Sequence, residues 1–298
     1  MGHLSRIELA DFIGHRSPRR VSRRVTLQQN ELGLVEDTYV SPDAIPPSGY
    51  EPCHQIVVPY HGLFAYHVGS KHWLIDTNGL LLISPGWEFR DEHPVDGLGH
   101  GALLITPPRD VLHEICRTSV GVELVFRSAT RAAGAGLGLL VNVLRNHGAA
   151  GDPLQRDELV ISVIEQALAS PASKTRPGSA VRRAKELLHS RSGERLTLGE
   201  IAAEVGVSPV YLTQEFTRAE GIPLYRYQRR LRLGRALAEL PDCDSITGLA
   251  LDLGFCSHSH FTSAFRSNFG LTPSEYRASN TCQIHAVWRG FTRPSDHQ

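Results

Sequence analysis

Reactive residue types crowd the segment Gly254–Arg277, GFCSHSHFTSAFRSNFGLTPSEYR. It holds Cys256, His258 and His260, residue types that bind metals or take part in nucleophilic catalysis. Its last three phenylalanines recur every four residues, the spacing of one helix face. On a helix, histidines two residues apart point about 200° away from each other and chelate poorly. The pattern therefore favours a helix that presents small polar residues to a partner over a metal or catalytic site.

A denser group of histidines lies earlier in the chain, between residues 54 and 113. Neutral imidazole is a common metal ligand, and a barrel could gather several of these side chains inward. Histidines in loops are more often ordinary polar residues, so no metal and no other cofactor is predicted. The group comprises His54, His61, His67, His72, His93, His100 and His113.

The composition bounds the class of protein. A chain of 298 residues with 41% hydrophobic residues is long enough to bury two cores, so two domains are expected. The 31 basic and 31 acidic residues balance, which argues neither for nor against a nucleic acid or membrane partner. Five cysteines without a C-x-x-C pair fit neither a disulfide framework nor a zinc ribbon.

The N-terminus and the apolar runs bear on location. Arg6, Glu8 and Asp11 stand where a signal peptide needs an unbroken apolar stretch. The longest apolar run, Leu137–Leu144, is far shorter than the roughly 20 residues of a membrane span. We therefore expect a soluble, cytoplasmic protein with no membrane partner.

The hydrophobic pattern changes along the chain. Short apolar runs separated by Pro and Gly predict a small all-β barrel or sandwich over about 25–126. Helices are predicted only after this region. The segment SPASKTRPGS has the composition of a linker. We predict a multidomain α+β chain with a basic arm at 1–24, a sheet domain with trailing helices at 25–169, a linker at 170–179, an all-α domain at 180–279 and a tail at 280–298.

One pattern occurs twice in the C-terminal half. Seven landmarks recur at offsets of 48 or 49 residues: Ala202, Gly206, Ser208, Leu212, Phe216, Gly221 and Tyr227, then Ala250, Gly254, Ser257, Phe261, Phe265, Gly270 and Tyr276. In each copy the small Ala allows two helices to cross closely, Gly accepts a turn, and Ser caps the next helix. Each copy therefore predicts a helix-turn-helix motif.

The apolar pairs at i and i+4 must face the local core, so the residues between them point outward. A recognition helix places its N-terminal half against base edges in the major groove of double-stranded DNA. The residues predicted to contact DNA are Ser208, Val210, Tyr211, Thr213, Gln214, Thr217, Arg218, Arg229, Ser257, His258, Ser259, Thr262, Ser263 and Arg266.

A longer helix joins the two motifs. From Leu224 to Leu240 it would measure roughly 25 Å at 1.5 Å per residue. Such a rod could hold two recognition helices about one DNA turn apart, near 34 Å. Its arginines are candidates for phosphate contacts: Arg226, Arg229, Arg230, Arg232 and Arg235.

The repeated residues, I-A-x-x-x-G-x-S-x-x-Y-L-x-x-x-F and G-F-x-S-x-x-x-F-x-x-x-F-x-x-x-F-G-x-T-P-S-x-Y-R, are strongly similar to the AraC type of bacterial transcription regulators. The resemblance covers about Val181–Ala278, a third of the chain. It implies a two-motif DNA-binding domain preceded by an N-terminal domain for ligand sensing, dimerisation or both. In many relatives that first domain is a cupin-like barrel, which agrees with the short-strand pattern.

The chain departs from the family in two places. Gly79–Gly86 has part of a cupin motif's shape, but the ligand histidine that should follow is missing, and Phe89 and Arg90 stand nearby. Relatives often place arginine in each recognition helix to read guanine, whereas Gln214 and Ser263 occupy the matching positions here. Because glutamine fits the N6/N7 edge of adenine, the operator is expected to differ.

Several N-terminal residues are candidates for an effector pocket: Tyr60, His61, Phe64, Tyr66, Trp73, Trp87 and Arg90. The alternative is an ordinary barrel core with a surface arginine. The helices near Leu137 and Leu159 are candidates for dimerisation, or for packing against their own barrel. The early arginines are expected to form a solvated arm: Arg16, Arg19, Arg20, Arg23 and Arg24.

These expectations describe a sequence-specific transcription regulator rather than an enzyme. Its expected partners are double-stranded DNA, a second copy of the chain, an unidentified small-molecule effector and RNA polymerase. Two alternatives stay open: a constitutive DNA-binding regulator whose barrel only dimerises, and a metal-dependent cupin enzyme fused to a DNA-binding domain.

Overall fold

The computed structural model describes residues 23–116, 126, 129–147, 152–172 and 177–279. The chain divides into two compact units, 1–131 and 132–298. The first is rich in strands and the second is helical, so the fold mixes sheet and helix as predicted. The two helices predicted to trail the sheet domain belong to the second unit. The functional domain limits remain a prediction.

The first unit contains two sheets. The larger has the strand order β1-β2-β9-β4-β7-β10, and the smaller has the order β3-β8-β5-β6. The strands are β1 (Arg23–Asn30), β2 (Gly33–Val40), β3 (Ser48–Glu51), β4 (Gln55–His61), β5 (Leu63–Val68), β6 (Lys71–Asp76), β7 (Gly79–Ile83), β8 (Trp87–Glu92), β9 (His100–Thr106) and β10 (Thr130–Ala132). The described strands therefore form two open sheets, which agrees with the predicted sandwich alternative, and the predicted cupin-like barrel is not confirmed.

Strand β2 runs antiparallel to β9, with Leu34 opposite Thr106 and Val40 opposite His100. Strand β4 pairs antiparallel with β7 and β9, and β8 pairs with β3 and β5. Antiparallel pairs alternate their side chains between two faces, so one face of each sheet can line a shared interior. Buried side chains of that interior include Val57, Phe64, Tyr66, Leu81 and Ile83.

Helix α1 (Arg109–Cys116) corrects one prediction, because helical structure begins within the region expected to be all β. Leu112 and Cys116, four residues apart, are buried on one face, and Asp110 lies in the first turn, where a carboxylate favours a helix. The predicted strand at 120–126 lies almost wholly outside the described residues.

The predicted C-terminal end of the basic arm, at residue 24, is also wrong. Arg23 and Arg24 belong to β1, where their guanidinium groups pair across the strands with Asp37 at 2.8 Å and with Glu36 at 2.5 Å. They are therefore structural and not part of a solvated arm. The remaining early arginines, Arg16, Arg19 and Arg20, lie outside the described residues.

The second unit is built of helices: α2 (Ala135–His147), α3 (Pro153–Ala169), α4 (Ser179–Ser190), α5 (Leu198–Glu204), α6 (Pro209–Glu220), α7 (Leu224–Glu239), a 3-10 turn (Leu240–Asp242), α8 (Ile246–Asp252), α9 (His258–Phe269) and α10 (Pro273–Ala278). Among the described residues, no helix is long and apolar enough to cross a membrane.

Helices α2 and α3 bury the apolar faces that were candidates for dimerisation. Leu140, Val141 and Leu144 of α2, with Val160 and Ile164 of α3, are almost completely inaccessible in the single chain. Helix α2 packs against α3, and also against α7 and α9. These faces are therefore already packed within the chain, whereas Leu154 in the first turn of α3 is 67% exposed.

Candidate nucleic-acid interface

The first helix-turn-helix motif consists of α5 and α6. Thr197 and Glu200 form a capping box at the start of α5. After α5, Gly206 adopts φ +72°, and the amide of Val207 donates to the carbonyl of Ala202 at 3.0 Å. The hydroxyl of Ser208 accepts a hydrogen bond from the amide of Tyr211 and caps α6.

The second motif repeats this construction in α8 and α9. Gly254 has φ +79°, and the amide of Phe255 donates to the carbonyl of Ala250 at 2.9 Å. Ser257 accepts a hydrogen bond from the amide of His260 at 3.1 Å and caps α9. The predicted roles of the paired glycines and serines are therefore confirmed.

Aromatic residues hold both recognition helices. Leu212 and Phe216 of α6 are fully buried, and the ring of Phe216 meets Tyr227 edge to face at 5.0 Å between centroids. In α9, Phe265 contacts Phe269 at 4.7 Å and Phe261 at 5.7 Å. These contacts fix the orientation of each helix, which decides what its opposite face can touch.

The outward face of α6 carries most of its predicted contact residues. Exposed side chains comprise Ser208, Val210, Tyr211, Thr213, Gln214, Thr217 and Arg218. Val210 is 67% exposed and Tyr211 49%. Such groups suit thymine methyls, while Gln214 suits the adenine edge.

The face of α9 is similar, with one exception. Ser257, His258, Ser259, Ser263 and Arg266 are exposed. Thr262 is half-buried, and its hydroxyl oxygen is enclosed without a hydrogen-bond partner among the described residues. Thr262 therefore points less toward solvent than predicted, unlike Thr213 at the matching position of the first motif, which is exposed.

The arginines of α7 separate into two groups. Arg232 donates to the carbonyls of Gly254 and Glu194, and Arg235 binds Glu239 and Ser192. Through these hydrogen bonds the two arginines hold the turn of the second motif and the residues that follow α4 against α7. Their guanidinium groups are therefore already occupied and do not fit the predicted role in phosphate binding.

Arg226, Arg229 and Arg230 form the other group. Burial lowers the pKa of Arg230, and the nearby charges of Arg226 and Arg229 lower it further. Three guanidinium groups that repel one another make a local positive patch, and DNA phosphates are suitable counter-charges. Arg218, by contrast, forms an ion pair with Glu215 on α6.

The first unit has a partly open cavity of about 600 Å³ between its two sheets. Of the predicted effector residues, Phe64 and Tyr66 line it. Tyr60 instead packs against Gly101 and donates its hydroxyl to Thr38, while Trp73 and Trp87 stack on each other at 5.5 Å. His61 and Arg90 are not among the lining residues either, and Arg90 is exposed.

Sequence reasoning did not assign to an effector site the charged and imidazole side chains that line this cavity: Arg24, Glu51, Asp91 and His100. One signal could have found Asp91. Phe89 and Asp91 lie two residues apart on β8, so strand alternation places both on one face, and both line the cavity.

His100 is a deeply buried polar residue of the cavity lining. Its ring stacks on Phe64 at 4.3 Å and its Nδ1 lies 2.9 Å from His93 Nε2. Burial lowers the pKa of His100 to about 3, and the charges of His93 and His61 contribute in the same direction. The imidazole is therefore neutral at physiological pH.

We expect acid to destabilise the first unit through His100. The unfolded chain protonates it near its ordinary pKa of 6.5, but the folded chain does so only near 3, so stability falls as pH drops through this window. The loss is at most about 1.4 kcal/mol per pH unit. Thermal melts from pH 7.5 to 4.5 should show a shallower dependence for His100→Gln. The control variant His113→Gln changes an exposed histidine and should keep the wild-type dependence of stability on pH. If His100→Gln also keeps the wild-type dependence, this role of His100 is excluded.

In the described part of the chain, no group of three or more His, Cys, Asp or Glu side chains is arranged to hold a metal ion. His258 and His260 are exposed on α9, and the ring of His260 meets Phe255 edge to face at 5.5 Å. Cys53, Cys116, Cys243 and Cys256 are not in disulfide bonds, and Cys282 lies outside the described residues.

Comparison with known proteins matches residues 201–279 to the helix-turn-helix domain family. The chain is 35% identical over 89 residues to the probable transcription factor PqrA of Proteus vulgaris, covering 30% of this chain and 73% of that protein. It is 36% identical over 145 residues to the HTH-type transcriptional regulator ArgR of Pseudomonas aeruginosa, covering 47% of this chain and 44% of ArgR. The chain thus spans less than half the length of ArgR.

A solved structure also matches part of the chain. It is a transcriptional regulator with an AraC-type DNA-binding domain from Chromobacterium violaceum, 36% identical, covering 33% of this chain and 89% of that one with a TM-score of 0.32. PqrA is matched over most of its own length. The family match at 201–279 begins within α5 and includes the rest of both helix-turn-helix motifs. The chain belongs to the AraC/XylS family of transcription regulators.

Proposed function

We propose that this chain regulates transcription by binding a specific sequence in double-stranded DNA with both helix-turn-helix motifs. The observation that carries the proposal is the pair of exposed polar faces on α6 and α9, each opposite a buried aromatic core. In this arrangement α7, 16 residues long and therefore about 24 Å, joins the two reading helices. Arg226, Arg229 and Arg230 supply phosphate contacts, which position the protein on the duplex.

The N-terminal unit is proposed to sense a small molecule. A cavity of about 600 Å³ is within the usual range of ligand pockets, roughly 300–1,000 Å³, and favours a sensor over a constitutive regulator. Two facing sheets around a cavity also support the description of this unit as cupin-like. Ligand binding would act by favouring one arrangement of the regulator over another. A homodimer, contact with RNA polymerase and a cytoplasmic location are further parts of this proposal.

The DNA face is tested by two substitutions with different expected effects. Gln214→Ala should relax the preference at one base pair by about 1–3 kcal/mol, because a bidentate contact to a base edge is lost. Arg229→Ala should weaken binding to specific and to random DNA alike. It should also reduce the slope of log K against log salt concentration by about one. Binding is measured by titrating labelled duplexes, first selected from a random pool, at several salt concentrations.

Two results would count against the proposal. Equal losses on selected and random duplexes for Gln214→Ala would remove Gln214 from base reading. Failure of the wild-type chain to enrich any sequence from the random pool would overturn sequence-specific binding as a whole.

A further inference from the structure

The walls of the N-terminal cavity are mainly apolar. Val57, Ile83 and Leu104 line it beside the rings of Phe64 and Phe89. A ligand that enters this space exchanges water for hydrocarbon walls, so binding is most favourable when the ligand surface is itself apolar. A fully polar molecule would lose its water without replacement.

Stacked rings form part of the cavity wall. Tyr66 and Phe89 lie nearly parallel, with 5.1 Å between centroids and 9° between planes. The ring of Phe64 stacks on the imidazole of His100 at 4.3 Å, with 19° between planes. All four of these side chains line the cavity. Rings pack well against a further ring, by offset stacking or edge to face, so this wall favours a ligand with an aromatic body.

The positive charge at the cavity is already paired. Arg24 donates from Nε and Nη2 to the two carboxylate oxygens of Glu36, at 2.6 and 2.5 Å. The side chain of Glu36 is only 3% exposed, so this bidentate pair is shielded from water. His100 adds no charge, because burial lowers its pKa to about 3. A ligand carboxylate would therefore find no unpaired cation among the described residues of the lining.

The negative charges of the lining have partners as well. Glu51 and Asp91 are buried, and each interacts with other groups of the protein. Asp91 Oδ2 lies 3.9 Å from His100 Nε2. Glu51 stands opposite Trp87, which is about 13 Å along β8 from Asp91 at 3.3 Å per residue. A ligand ammonium could therefore not meet both carboxylates, and at either one it would compete with groups of the protein.

We propose that this cavity binds an uncharged aromatic compound, with its rings against Phe64, Tyr66 and Phe89 and no ionised group inside. Burying an ionised group that lacks a partner of its own costs far more than burying a hydroxyl. A hydroxyl on such a compound can still donate to Glu51 or Asp91, since each carboxylate offers about four lone-pair sites. The ligand is thus selected by its aromatic body and by its lack of charge.

This inference rests on the proposed role of the N-terminal unit as a sensor, and its test does not use DNA. Full-length protein is melted with phenyl, naphthyl and biphenyl compounds that each end in a hydroxymethyl, an aminomethyl or a carboxylate group. At about pH 7.5 the alcohols are neutral, whereas the amines and the acids are ionised. At least one alcohol should raise the melting temperature in a saturable way. Its ammonium and carboxylate counterparts should bind at least about tenfold more weakly in calorimetry.

One pair of variants connects binding to the aromatic wall. Phe89→Leu removes a ring of the lining and should weaken binding of the alcohol about threefold or more. Trp87→Leu removes a ring from the same strand that is not among the described lining residues, and it should bind the alcohol like the wild type. Circular dichroism shows whether each variant is folded.

A second pair tests whether paired charge excludes acids. Glu36→Gln keeps the side-chain shape but removes the charge that neutralises Arg24. The guanidinium should then accept the matched carboxylate compound, which should bind at least about tenfold more tightly than to the wild type. Glu31→Gln removes an exposed carboxylate beside β1 and should leave binding of the carboxylate compound unchanged.

The outcomes separate the two proposals. If an ammonium or carboxylate compound binds the wild type as tightly as its alcohol, or if no alcohol binds, the uncharged ligand class is wrong. The same holds if folded Phe89→Leu binds the alcohol as tightly as Trp87→Leu, or if folded Glu36→Gln gains no carboxylate binding over Glu31→Gln. Tight binding of a charged compound would leave the sensor role standing. Failure of specific DNA binding, measured without ligand, would overturn only the transcriptional role.

Discussion

Phe265→Ala is expected to lower the free energy of unfolding of the second unit by about 3–5 kcal/mol, the usual cost of emptying a buried phenylalanine site. Phe265 is fully buried, and its ring contacts Phe261, Phe269 and Tyr276. It anchors α9 from behind, so the residues facing DNA would lose their fixed orientation. Urea denaturation followed by the helical circular dichroism signal measures the loss, and DNA titration should show weaker specific binding.

The matched control is Tyr225→Ala, which also removes an aromatic ring from this unit. Tyr225 is 61% exposed, so its removal should leave the unfolding midpoint close to that of the wild type. A loss below about 1 kcal/mol for Phe265→Ala would mean that the aromatic cluster does not hold the second motif together.

Glu220→Ala is expected to cost about 3 kcal/mol, because it removes the carboxylate that faces a buried ammonium. Lys185 of α4 is only 4% exposed, its Nζ lies 3.1 Å from Glu220 Oε1, and it sits 5.5 Å from the centre of the Tyr227 ring. The pair connects α4 to the C-terminal end of the first recognition helix. The unfolding free energy in urea measures the effect.

Two further variants test whether burial of charge is the cause. Glu215→Ala removes a carboxylate from the same helix, but its pair with Arg218 is exposed, so no measurable change in midpoint is expected. The double variant Lys185→Met, Glu220→Leu should recover most of the lost stability, because apolar residues often replace a buried ion pair without penalty. A double variant as unstable as Glu220→Ala would instead show that the shape of the pair matters more than its charge.

The sequence predicts the two motifs closely because their determinants are local. Ser208 and Ser257 cap helices whose amides lie three residues away, and Gly206 and Gly254 take the positive φ that the turn requires. Each feature depends on a few neighbouring residues, so the pattern can be recognised without knowledge of the fold. The spacing of the buried phenylalanines then settles which face points outward.

The features that sequence reasoning did not find depend on distant partners. Arg232 and Arg235 looked available for phosphate, yet they bind groups 22 to 43 residues away in the chain, apart from Glu239. Trp73 and Trp87 come from different strands and stack on each other. No local sequence pattern predicts this contact. Glu51 lines the cavity because β3 pairs with β8, and that pairing is a property of the folded sheet.

The two recognition faces are built on one scaffold but carry different residues, with Gln214 on the first and Ser263 on the second. A chain with two different recognition faces distinguishes the two ends of its DNA site. A dimer of identical single motifs bound to a palindrome does not. The bound site therefore has a direction along the chromosome. Reversing it beside a promoter would exchange which of the two recognition helices lies nearer that promoter.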